Sequence, residues 1–145
     1  MVQKFNFTGH DPISIDEYIS LVEKEVDPND FDSLLSSSEY LYRLSLNKDL
    51  LNSFILEIIK GTVGGTQSLN LYPDASIKLG ESSNGQFLVR ANIWKVPEER
   101  GGTLGHEKRL YSYEAPHDHN FDFLTVGYYG PGYRTKIWQY DYRPD

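Results

Sequence analysis

Cysteine is absent from the chain. Its absence excludes a disulfide framework, a cysteine-ligated zinc finger, an iron–sulfur cluster and thiol catalysis, and it agrees with a reducing compartment. Basic residues are scarce: 14 Lys and Arg stand against 21 Asp and Glu, for a net charge of −7 and a pI near 5.0. Clustered cations are what neutralise phosphates, so sequence-independent nucleic-acid binding is not expected. No apolar run approaches the roughly 18 residues that a membrane span needs. The opening MVQKFNFTGHDPIS has no basic stretch followed by an apolar core, so no secretory leader is expected. The expectation is a soluble, cytoplasmic protein with no membrane partner. Aromatic residues, by contrast, are plentiful at 14 %, eleven of them tyrosines. Tyrosine suits strands and pocket walls, where the ring is dry and the hydroxyl finds a partner.

A chain of 145 residues is one folding unit by size, with a helical region over 1–66 and a β region over 67–145. Ser14 and Glu17 form an S-x-x-E capping box ahead of Ile15, Tyr18, Ile19, Val22 and Val26, which recur at helical spacing until Asp27-Pro28. A shorter helix is expected between Glu39 and Leu46. Asn47 caps another, whose stripe of Leu50, Leu51, Phe54, Ile55, Ile58 and Ile59 reads as core and ends at Gly61. From about residue 67 the period changes to two. Strands are expected at 68–72 and 76–79 around Pro73-Asp74, with another where Phe87, Val89, Ala91 and Ile93 alternate with polar or bulky neighbours. Further strands are expected at 109–114, 121–129 and 134–142, the last two joined by Gly130-Pro131-Gly132 as an antiparallel hairpin. Helices followed by a series of antiparallel strands predict an α+β fold whose main body is an antiparallel β-sandwich or barrel.

Two glycine-rich stretches, 61–66 and 101–105, lack the Gly-Lys-Ser/Thr of a phosphate loop and the G-x-G-x-x-G fingerprint, so nucleotide binding is not expected. The informative stretch is APHDHNFDFLTVGYYGPGYRT, residues 115–135, which holds two of the four histidines. On a strand, His117 and His119 point to one face with Cβ atoms roughly 6 to 7 Å apart, and two imidazoles can converge on one ion. The same face continues through Phe121, Phe123 and Thr125, like the wall of an apolar cavity with a polar mouth. The plainer alternative is two surface histidines hydrogen-bonded to Asp118 and water.

The H-x-H pair, the acidic residue soon after, Gly127 and the Gly130-Pro131-Gly132 turn resemble the first half of the cupin motif over about 20 residues. The resemblance implies a double-stranded β-helix barrel, incomplete within this chain, with a divalent ion held by His117 and His119. The third ligand is open. Asp122 comes after only two intervening residues and needs a bulge to face the pair. His106 and His10 lie upstream, and the remaining choice is a residue outside these 145. The implied activity is that of an iron-dependent oxygenase acting on a small organic or amino-acid-like substrate, with Fe(II) as the expected cofactor and Zn, Mn or Ni as alternatives. Phe121, Phe123, Tyr128 and Tyr133 would line the substrate site, and Arg134 would orient an acidic substrate. A second polypeptide or a continuation would complete the barrel, and homo-oligomers are a further expectation. The competing expectation is a non-catalytic β-sandwich module that binds a small ligand or a partner protein, its histidines structural.

Overall fold

The computed structural model describes residues 3–60, 76–94, 115–117, 119, 121–132 and 134–138. Four helices come first: α1 (Ile15–Glu25), α2 (Phe31–Ser36), α3 (Ser38–Ser45) and α4 (Leu50–Lys60). A hairpin of β1 (Ser76–Glu81) and β2 (Leu88–Asn92) follows.

Helix α1 starts where the cap chemistry places it, with the Ser14 hydroxyl accepting from the Glu17 N–H at 3.1 Å. The Glu17 carboxylate turns to the Arg43 guanidinium of α3, 3.9 Å away. Tyr18 and Val22 form the buried face of α1. At its far end the Tyr40 hydroxyl donates to the Glu25 carboxylate, joining α1 to α3. That bond, more than burial, raises the Tyr40 pKa above its ordinary value.

Helix α2 is absent from the periodicity reading. Six residues give no full apolar period, and the helix is held by its corners instead. The Asp30 carboxylate caps it by accepting from Asp32 N–H at 3.0 Å, and the Ser33 hydroxyl accepts from Asp27 N–H at 2.8 Å. In α4 the expected stripe is only partly core: Leu50, Leu51 and Phe54 pack against the interior, whereas Ile55 is 40 % exposed.

Strands β1 and β2 pair antiparallel, with Ser76 opposite Asn92 and Glu81 opposite Leu88. A bulge between Lys78 and Gly80 makes Leu79 the extra residue. Ser83 and Asn84 are the centre of the connecting turn, closed by the Gly85 N–H on the Ser82 carbonyl at 3.0 Å, and Gly85 takes φ +71°. The Ser82 hydroxyl accepts from Phe87 N–H at 3.0 Å, closing the loop, and Ser83 N–H donates to Glu23 of α1. Among the described residues the core is Ile13, Tyr18, Val22, Leu44, Ile77, Leu79 and Val89. It lies between α1, α3 and one face of the hairpin.

The antiparallel sandwich or barrel expected from the alternating pattern is overturned. The described residues hold one two-stranded sheet, β1 with β2, and it does not close. Residues 121–132 and 134–138, where the last two strands and their pairing were expected, form neither strand nor helix. Glycines 130 and 132 do take positive φ, +80° and +75°, so the turn chemistry is present without a ladder beside it. A ladder needs a partner edge in register, which alternation on one strand cannot supply. The segment is tied down by a side chain instead: the Tyr128 hydroxyl lies 2.7 Å from the Asn47 carbonyl and 2.9 Å from that of Lys48, shared between them in the α3–α4 connection. The strand candidates at 68–72 and 109–114 and the expected boundary at 66–67 lie outside the described residues. Among the described residues, no helix is long and apolar enough to cross a membrane.

Candidate functional site

Residues 115–124 bring the chemistry together. The Nδ1 of His117 lies 2.9 Å from the Ala115 carbonyl. A carbonyl only accepts, so Nδ1 is the donor, and Nε2 is the nitrogen that the ring would offer to a metal. The His117 and His119 rings stand almost perpendicular, at 83°, with centroids 5.0 Å apart. Rings bound to one tetrahedral ion at about 2.1 Å per nitrogen have centroids roughly 5 Å apart, a separation this pair matches. The same spacing is that of an edge-to-face ring contact.

The alternation past the histidines survives as a ring cluster. His119 lies 5.0 Å from Phe121 and 5.2 Å from Phe123, and the two phenylalanines are 6.2 Å apart. Three rings at i, i+2 and i+4 thus gather on one side of the chain, as extended backbone requires. All three residues are exposed.

Phe121, Asp122, Phe123 and Leu124 form one wall of an open cleft of about 190 Å³. Phe31, Leu34 and Leu35 of helix α2 line the same cleft, together with Gln3 and Phe5 of the N-terminal segment. None of the residues from the first 35 positions was expected at the site. The paired Phe5 and Phe7 are a faint signal, but a segment's packing partner more than 80 positions away leaves no local pattern.

Asp122 therefore belongs to the cleft wall. With His117 and His119 it does not make a three-ligand set: among the described residues no group of three or more His, Cys, Asp or Glu side chains is placed to hold a metal. His10 is engaged elsewhere, 3.3 Å from Glu39 and edge-on to Phe7 and Tyr42. Tyr128 is an anchor to the α3–α4 connection and not part of the cleft lining. Arg134 is exposed, beyond the Gly130 turn. Tyr133, Asp118 and His106 lie outside the described residues. Compared with known proteins, the chain matches no family model, no curated protein and no solved structure.

Proposed function

We propose that this is a metal-dependent protein in which His117 and His119 hold one divalent ion beside an aromatic cleft. The observation that supports it is the bond from His117 Nδ1 to the Ala115 carbonyl, with the His119 ring perpendicular at 5.0 Å. A backbone acceptor on one ring nitrogen orients the other as a ligand and raises its basicity. The reading keeps the histidine pair of the cupin resemblance and abandons the barrel. Ferrous iron held by two imidazoles would supply open positions for dioxygen and a small organic substrate, the chemistry of a non-haem oxygenase; zinc, manganese and nickel suit the same donors. The chain's own contribution would be the pair of lone pairs and the aromatic surface of Phe121 and Phe123 beside them. The expected site of action is the cytoplasm.

Metal content tests this. Protein purified without chelator and offered Fe²⁺, Mn²⁺, Ni²⁺ and Zn²⁺ in turn should retain about one ion per chain. His117→Ala and His119→Ala each remove a direct ligand and should weaken binding by more than the roughly 10- to 100-fold of losing an outer hydrogen bond. Retention should also fall as pH is lowered, because protons compete for the same lone pairs. A double alanine variant that holds as much metal as the wild type would refute the assignment.

A second reading, a non-catalytic module that binds a partner protein or a second copy of the chain, is favoured by one observation. Tyr129, Ile137 and Trp138 are 94 %, 65 % and 72 % exposed. Large apolar side chains left exposed at a surface commonly mark contact sites.

A further inference from the structure

We propose that Asn84, in the turn of the β1–β2 hairpin, is a site of spontaneous covalent modification. Its side chain closes on the Gly85 nitrogen as a succinimide, water opens the ring to isoaspartate, and the turn loses its hold on α1.

Of the chain's asparagines, Asn84 alone is followed by glycine. A side chain on the next residue crowds the attacking nitrogen, and glycine has none. A Cβ built on Gly85 would meet nothing within 4 Å. Asn84, Gly85 and Gln86 are all exposed, so water reaches the site. The Asn84 carboxamide is folded back along its own backbone: Oδ1 accepts from the Gln86 N–H at 3.1 Å, and Nδ2 donates to the Gln86 side-chain oxygen at 2.8 Å. The first bond closes a ring that holds both Cγ and the Gly85 nitrogen. It also draws electron density from Cγ and is placed to steady the oxyanion that forms on attack.

Asn52, followed by Ser53, is the contrast within the chain. There the nitrogen that would attack lies in α4 and donates to the Asp49 carbonyl at 2.9 Å, so freeing it means opening a helix. The Gly85 N–H donates to the Ser82 carbonyl at 3.0 Å, in an exposed turn that opens locally at lower cost.

In the reaction the Gly85 nitrogen bonds to Asn84 Cγ and the Cγ–Nδ2 bond breaks. The Gly85 amide proton leaves with the amine as ammonia, and nothing is oxidised or reduced. Water then adds to either ring carbonyl, giving aspartate or isoaspartate; in isoaspartate the main chain runs through Cβ and Cγ and is longer by a methylene. The imide nitrogen carries no hydrogen, so the turn-closing bond to Ser82 is lost at the first step, and the longer main chain moves the Gly85 N–H away from that carbonyl. The Ser83 N–H in the same turn donates to Glu23 of α1. A new carboxylate at position 84 brings a second negative charge next in sequence to that contact, which weakens it further.

The test incubates the full chain at mildly alkaline pH, folded and in urea. Digests are assayed with an isoaspartyl methyltransferase, and the modified peptides are located by mass spectrometry. Isoaspartate should accumulate in the folded chain at position 84 faster than at any other asparagine. Asn84→Ser should abolish it there, because the hydroxyl still accepts from the Gln86 N–H but offers no carbonyl to attack. In the modified chain the Ser83 and Gly85 amides should exchange with solvent about tenfold faster or more, read by NMR, while the α1 amides keep their protection. The proposal is overturned if another asparagine reacts as fast as Asn84, if isoaspartate forms in urea but not in the folded chain, or if the modified chain keeps wild-type exchange at Ser83 and Gly85.

Discussion

Tyr18 places a titrating hydroxyl in the core, and burial pushes its pKa from 10.0 up to about 12. The folded state thus favours the neutral phenol. Because the folded pKa lies above the unfolded one, this contribution is fully present below about pH 10 and is lost as pH rises towards 12. A shift of that size corresponds to something on the order of 2–3 kcal/mol. Tyr18→Phe keeps the ring and removes the titration. Urea unfolding at pH 8 and again near pH 11.5 should show the wild type losing more stability than the variant, by on the order of 2 kcal/mol. Equal losses would mean that the hydroxyl is not excluded from water. The other informative side chains at this scale are His117 and His119, whose approach was legible from their i, i+2 spacing alone. The proton on His117 Nδ1 was not, since it depends on where the Ala115 carbonyl points.

Between elements, α1 lies close against β1. A Cβ built on Gly80 would lie 2.6 Å from Ile19 Cδ1 and 3.6 Å from Ile15 Cγ1. Glycine at the bulge is what lets the helix lie this close to the strand. Gly80→Ala should therefore destabilise the fold, by roughly 1 kcal/mol, because the clashing atom is the movable end of an isoleucine. Ile19→Val removes that terminal methyl, so the double variant should recover part of the loss, a coupling measurable in a double-mutant cycle. Purely additive effects would place the strain elsewhere. Helices α1, α3 and α4 and the hairpin strands were readable in advance, since capping residues and apolar period are local properties. Helix α2 was not, because its anchors, Asp27, Asp30 and Ser33, act through turns and not through a repeating stripe. The bulge was hidden for a related reason: it is set by how α1 sits on β1.

At the scale of the molecule, Tyr129, Ile137 and Trp138 are exposed, and the last two follow the cations Arg134 and Lys136 in an acidic chain. If that surface is a contact between copies, light scattering coupled to size exclusion should show mass rising with protein concentration. Raising the salt should weaken the association, since charge steers it. Ile137→Ser with Trp138→Gln should return the chain to a monomer, with circular dichroism unchanged because neither residue is in the core. A constant monomer mass at all concentrations would leave this surface to a different partner. The barrel expectation failed at this same scale. Residues 121–129 carry the right alternation, yet Tyr128 is bonded to the carbonyls of Asn47 and Lys48, more than 75 positions earlier.

What the sequence by itself determined is everything that depends on neighbours within a few positions. This covers the start of α1 at its Ser14 cap, the inward face of Phe87, Val89 and Ala91, the left-handed glycines of the Gly130-Pro131-Gly132 turn, and the gathering of His119, Phe121 and Phe123 on one side. Only the tertiary structure decided which segments meet. It brought Phe5 and Phe31 to one cleft with Phe123, moved Asp122 from a candidate metal ligand to the cleft lining, and left residues 121–132 without a strand partner among the described residues. The physical reason is that caps, turns and side-chain period are energies of adjacent residues, whereas strand pairing and cleft assembly depend on the complementarity of surfaces far apart in the chain.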